Sequence, residues 1–292
     1  MSLSRRLFFG IGSGMGLCGL LPTQKLAAAD TSVSRRKHFE DLSKIFAYGV
    51  ASGDPLKDRV ILWTHVDERG QDHVLVEWEV ALDPEFENTV SIGTAYAEPS
   101  SDFTVKIDAI LPFAGTTYYY RFRAHNYWSP VGRTKTAPEK SENLRLAVVS
   151  CSSIWSGYMN AYEMLARRAD LDLIVHCGDY AYDVPDPQEL RNMPYRAVNR
   201  LKPASLHDHR QRYRYYRLDP HLRAAHQQHP WSIIWDNHDV LTDAPQNESI
   251  QAFFEWIFSW ILQLENASRR LVESCPICAG RIALLILPHA PC

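Results

Sequence analysis

The sequence predicts an α/β domain, with sheets flanked by helices, preceded by a small all-β domain of immunoglobulin or fibronectin III type. Three observations carry this. Between residues 46 and 138 the runs RVILWTHV, HVLVEWEVAL, FTVKIDAIL and TYYYRFRAH alternate with the period of two that half-buried strands require. After residue 144 the pattern becomes strand, helix, strand: NLRLAVVSCSS, GYMNAYEMLARRAD and LDLIVHCGDY, a βαβ unit with parallel strands. Two short runs, HCGDYAYD at 176–183 and WDNHDV at 235–240, each follow an apolar stretch and place carboxylates, an amide and histidines just past a strand's end.

The first 29 residues read as a targeting segment rather than fold. Arg5 and Arg6 precede a weakly apolar stretch, IGSGMGLCGLL, and Ala27–Ala29 offer an A-x-A cleavage site. The apolar stretch is shorter than the ~20 residues of a membrane span. SRRLFF resembles a twin-arginine (Tat) export signal, with an ordinary secretory signal as the alternative. Export would place the protein in a bacterial periplasm or outside the cell, with the Tat machinery as a partner and no transmembrane segment after signal removal. With 292 residues, 46% hydrophobic and 22% charged, the composition is that of an ordinary globular protein. A formal net charge of −3 leaves no global basic field for nucleic acid.

Residues 40–138 form the β part. Turn residues separate its strands, among them Gly53-Asp54-Pro55, Leu82-Asp83-Pro84 and Pro112 to Gly115. Tyr118-Tyr119-Tyr120 opens a late strand, and the aromatics are assigned to core and cross-strand pairs. The polar stretch Thr136–Ser141 reads as a linker, and the α/β part occupies 144–257. Residues 205–230 read as two helices broken at Asp219-Pro220, and WSIIW is a third strand with a loaded end. At about 110 residues this part is short for a complete doubly wound sheet. The tail 258–292 shows no turn logic continuing the sheet; it carries an isolated CxxC, Cys275 to Cys278, and an apolar run, RIALLILP. A lone CxxC without a second pair is a weak zinc signal.

The chemistry gathers at three strand ends: Ser150-Cys151-Ser152-Ser153, Gly178 to Asp183, and Asp236-Asn237-His238-Asp239. In an open α/β sheet ligands bind beyond the carboxyl ends of the strands. Gly178 permits the tight turn that faces Asp179 inward. A carboxylate can bridge two cations, a pair of which clamps an in-line phosphoryl displacement. Thiolate or phenolate donors suit a trivalent or soft ion, Asn and Asp oxygens a harder one.

On these residues the chain resembles the PhoD-like alkaline phosphatases, a branch of the calcineurin-like metallophosphoesterases. The carriers are FAYGVASGDPLKDRVILWTHV at 46–66, LRLAVVSCSS at 144–153, GDYAYD at 178–183, LRAAHQQHPWSIIWDNHDV at 222–240 and ESIQAFFEW at 248–256. The motifs run from about residue 40 to 257 in the family's order. The resemblance implies hydrolysis of phosphate monoesters or diesters with Fe³⁺ and Ca²⁺ as cofactors. It implies Cys151 as an iron ligand, Asp179 as the bridge between the metals, Tyr182 as a phenolate to Fe³⁺ and Asn237 as a ligand of the calcium side. It implies His238 beside the phosphate, as charge stabiliser or proton donor. Asp236 and Asp239 are weaker candidates, Asp239 as a support for the ligands.

Each residue has an ordinary alternative. Cys151 could be a small buried hydrophobe and Tyr182 a core or rim aromatic. Cys177 is assigned to the core. His207, His209, Arg210, Arg212 and Arg214 are assigned to a solvated helix face. The family's later Asp and His motifs are not recognisable, so a frameshifted or truncated product is expected, with an incomplete metal shell. Two further readings stay open: a non-catalytic remnant of the same ancestry, and an exported β-sandwich binding protein.

Overall fold

The computed structural model describes residues 44–141, 143–155, 157–184, 202–240, 246–258 and 281–286. The targeting segment 1–29 and Cys275, Cys278 and Cys292 lie outside them. The described strands are β1 (Val50–Gly53), β2 (Arg59–His65), β3 (Val74–Ala81), β4 (Thr89–Ala97), β5 (Thr104–Ile110), β6 (Thr117–Ala124), β7 (Tyr127–Trp128), β8 (Gly132–Lys135), β9 (Asn143–Val149), β10 (Leu173–His176), β11 (Pro230–Ile233) and β12 (Arg281–Ile286). The helices are α1 (Asn160–Ala166), α2 (Leu206–Leu218), α3 (Pro220–Gln228) and α4 (Gln246–Trp256).

The fold class is the one the sequence predicts, an all-β part followed by an α/β part. The alternating strands bury one face as expected: in β6, Tyr118, Tyr120, Phe122 and Ala124 are buried and the residues between them are not. β4 escaped the sequence reading because its large apolar residues point outward, Ile92 being 71% and Tyr96 62% exposed. β3, β4, β6, β7 and β8 form one sheet.

The second sheet runs β12-β9-β10-β11-β1-β2-β5 and crosses the boundary between the two parts. β1 lies parallel to β11, with Ser52 opposite Pro230 and Gly53 opposite Trp231, and antiparallel to β2. A Cβ at Gly53 would lie 2.4 Å from Phe258 Cδ2 and 2.8 Å from the Trp231 carbonyl oxygen. The missing side chain therefore lets the β1 end meet β11 and the segment after α4. Six residues of the tail join this sheet: β12 pairs in parallel with β9, from Arg281 opposite Asn143 to Ile286 opposite Val148. The apolar run RIALLI supplies backbone pairing to an edge strand that would otherwise be open.

The helix break falls where predicted. Asp219 ends α2 and caps α3, its Oδ1 accepting from the His221 and Leu222 N–H groups at 3.0 and 3.1 Å, with Pro220 at the first helical position. α2 corrects the solvated-face assignment. His207 is exposed, but His209 and Arg212 are buried. Arg210 grips the Glu255 carboxylate with 2.6 and 2.7 Å bonds, and Arg212 donates to the Asp183 carbonyl at 3.1 Å. Arg214 pairs with Asp102. The cause is packing: α4 and the sheet lie over the face that composition alone assigns to solvent. Cys177, assigned to the core, is exposed, because β10 ends at His176 and Cys177 is the first residue of the following turn.

Candidate active site

β9, β10 and β11 are parallel neighbours, with Val149 opposite His176 and His176 opposite Ile233, so their carboxyl ends stand level. The three loaded segments therefore meet at one edge, as an open α/β sheet arranges a site. Backbone bonds stitch them. The Cys151 N–H donates to the Gly178 carbonyl at 3.1 Å and the Ser152 N–H to the Asp179 carbonyl at 2.9 Å. Gly178 has φ +97°, and a Cβ there would lie 2.7 Å from Asp236 Cβ. Only glycine gives both the left-handed turn and the close approach of the 178 and 236 loops. Cys151 and Asp179 also have positive φ, 53° and 52°, an uncommon backbone state for a side-chain-bearing residue that clusters at functional sites.

Asp179 is the centre of the cluster. It is buried, and its Oδ2 lies 3.7 Å from Cys151 Sγ and 3.5 Å from Tyr182 Oη. Its Oδ1 accepts from the His238 N–H at 3.3 Å. The Tyr182 and His238 rings stack, centroids 4.3 Å apart. His238 Nδ1 lies 2.6 Å from Asp183 Oδ1. A carboxylate beside Nδ1 fixes the tautomer and the ring plane and presents Nε2 to a reacting group.

Asp239 ties two of the loops together. Its Oδ2 accepts from the Tyr180 and Asp236 N–H groups, both at 3.1 Å, and its Oδ1 from the Ala181 N–H at 2.8 Å. Burial pushes its carboxyl up to about 7, against the lowering effect of these N–H bonds. Asp236 and Asn237 are exposed on the turn, and among the described residues no hydrogen bond joins either side chain to Asp179. The structure thus brings Cys151, Asp179, Tyr182 and His238 together, puts Asp239 beneath them, and leaves Asn237 and Asp236 at the rim.

Among the described residues no group of three or more His, Cys, Asp or Glu side chains converges. The donors that do converge are one thiol, one carboxylate and one phenol. Two ligands of one cation, each about 2.0–2.3 Å from it, stand a little over 3 Å apart, so separations of 3.5 and 3.7 Å around Asp179 Oδ2 fit a single ion. A thiol, a carboxylate and a phenol make a mixed sulfur and oxygen donor set of the kind transition metals take.

A family model for the PhoD-like phosphatase N-terminal domain matches residues 31–138, and one for PhoD-like phosphatase matches residues 146–277. The chain belongs to the PhoD-like phosphatases. The second match passes residue 257, where the quoted motifs end. Alkaline phosphatase D of Bacillus subtilis (strain 168) is 36% identical over 266 residues, covering 85% of this chain and 45% of that protein. A solved structure of PhoD superposes with a TM-score of 0.69 at 34% identity, covering 77% of this chain and 48% of that one. This PhoD-like chain therefore spans less than half the length of either relative.

Sequence reasoning about this PhoD-like chain missed Asp183. Its signal was present: a second carboxylate four residues after Asp179, in the loop next to the one that carries the histidine.

Proposed function

We propose that this chain is an exported hydrolase of phosphate monoesters or diesters, of alkaline phosphatase and phosphodiesterase type. The observation that carries it is the convergence of the Cys151 thiol and the Tyr182 phenol on one oxygen of Asp179, beside the His238–Asp183 pair. Family membership implies dependence on metal. Cys151, Asp179 and Tyr182 would hold Fe³⁺, and Asp179 and Asn237 would hold Ca²⁺. The ions would supply activated water and neutralise charge on the phosphoryl oxygens. The chain's own part is positioning and proton transfer. Asp179 sets the register of both sides. Asp183 aligns His238, and Tyr182 stacks on its ring, so that Nε2 donates a proton to the departing ester oxygen. Asp239 holds the 180–181 backbone against the 236–239 turn. Export through the Tat pathway to the periplasm or exterior rests on Arg5, Arg6 and the Ala27–Ala29 site. Among the described residues no helix is long and apolar enough to cross a membrane. A net charge of −3 supports no nucleic-acid role.

The test is elemental analysis of the purified chain with assays on p-nitrophenyl phosphate and its bis ester. Iron and calcium in stoichiometric amounts, with turnover lost in Cys151→Ala, are expected. A folded sample without metal or turnover refutes the enzyme reading and supports a non-catalytic member of the family.

A further inference from the structure

Arg217 stands in the last turn of α2, with only 1% of its surface exposed. None of its three guanidinium nitrogens makes a hydrogen bond of good geometry, and the one hydroxyl close enough to share its charge is that of Tyr180. No carboxylate among the described residues is paired with it. The groups acting on it most strongly are the Tyr180 and Tyr120 phenols and a second cation, Arg223. One face is covered by the Trp63 ring, 4.4 Å away, with Phe258 at 6.0 Å. The sparsely met polar groups continue around it: Tyr120 Oη and the Ser52 hydroxyl are buried with only each other in reach, and Nδ1 of His226 is buried without a partner. His226 feels the same positive charge, and its Nε2 lies 2.8 Å from the Tyr180 hydroxyl.

An unpaired buried charge is among the most costly features a fold can hold. A ring face and the carbonyl end of a helix offset part of that cost, but neither supplies hydrogen-bond acceptors to five N–H groups. Every unmet group here is a cation or a potential O–H or N–H donor. That chemistry matches a small anion and does not match a metal. We propose that Arg217, with Tyr120 and Ser52, encloses one monovalent inorganic anion of chloride size between the sandwich core and the α/β core. Its test reads halide binding and unfolding and needs no turnover, so it stands or falls apart from the hydrolase reading.

The experiment is thermal unfolding of the full chain in chloride, bromide, gluconate or phosphate at fixed ionic strength. A saturable rise of roughly 5–10 °C is expected at a halide concentration 100 times its dissociation constant, with none in gluconate. Arg217→Met, which removes the buried charge while keeping an unbranched stem, is expected to fold and to lose the halide response. Arg217→Lys keeps the charge and should retain a weaker one. Crystals grown in bromide should show one anomalous peak beside the guanidinium. No halide-specific shift, the same shift in Arg217→Met, a response to phosphate alone, or ordered water in place of the bromide peak would each overturn the proposal.

Discussion

Replacing Asp239 by alanine is expected to destabilise the protein by about 4 kcal/mol. The carboxylate is 3% exposed and accepts three backbone N–H bonds, from Tyr180 and Asp236 at 3.1 Å and from Ala181 at 2.8 Å. Truncation leaves the Tyr180 and Ala181 donors buried without acceptors, at roughly 1–3 kcal/mol each. The Asp236 N–H sits on a partly exposed turn, where water can replace the lost bond for little. Asp239→Asn keeps one carbonyl oxygen and turns an NH₂ toward the remaining donors, so about half of the loss is expected, roughly 1–3 kcal/mol. Asp236→Ala, at an exposed position on the turn after β11, is the control and should stay within ~0.5 kcal/mol. Urea unfolding measures all three, with the midpoint reporting stability and the slope checking that the unfolded state is unchanged. An Asp239→Ala protein within 1 kcal/mol of the parent, or no more perturbed than Asp236→Ala, would refute the assignment of Asp239 as the tie between the two loops.

Asp183→Asn should lower kcat by two to four orders of magnitude with little change in KM, since it removes the alignment of His238 and not a substrate contact; a KM effect alone contradicts it. Gly178→Ala forces a Cβ to 2.7 Å from Asp236 Cβ at φ +97° and should cost more than about 2 kcal/mol and abolish metal uptake, read by calorimetry and elemental analysis. Burial lowers His65 to about 3 and His229 to about 4. Both are depressed bases, so their neutral forms stabilise the fold above pH ~6.5, and stability falls as pH drops toward those values by roughly 1.4 kcal/mol per pH unit for each. His65→Phe should flatten part of this slope in pH-dependent urea midpoints, and an unchanged slope rules His65 out. Ser205→Ala removes the acceptor of the Asp208 N–H at the start of α2 and should cost about 1 kcal/mol by the same assay.

Much of the fold was legible because the strands bury one face. TYYYRFRA and LDLIV announce themselves by period and by β-branched content, and the Asp219-Pro220 break by cap chemistry. β4 was not legible, since Ile92 and Tyr96 face solvent and its alternation carries no core signal. Nor was the burial of α2: a helix reading LHDHRQRYRYYRL looks solvated until α4 brings Glu255 to Arg210. At the site, the strand-end motifs located Cys151, Asp179, Tyr182 and His238. They did not distinguish carboxylates by task. Asp183 and Asp239 differ in sequence from Asp236 by nothing that composition records, and only the distances show that one aligns a ring, one ties backbones and one lies exposed.

The continuity of the seven-stranded sheet gives the β part a role in the site. β11, whose end carries Asp236 to Asp239, has β10 on one side and β1 on the other. Removing residues 40–138 therefore strips β11 of one partner and opens an edge in the middle of a sheet. It also removes Trp63, which is fully buried and donates its indole N–H to the Glu255 carbonyl at 2.9 Å, and Lys106, which donates to the Phe254 carbonyl. α4 would lose both anchors, and Glu255 with it the setting in which it holds Arg210. Burial of Trp63 alone is worth about 2–3 kcal/mol, a large share of a typical net stability, and an unpaired central strand templates association. A fragment beginning at residue 139 is thus expected to aggregate and to lack cooperative unfolding in calorimetry. A monomeric fragment with a sharp transition would show that the strand-end site is built by the α/β part alone.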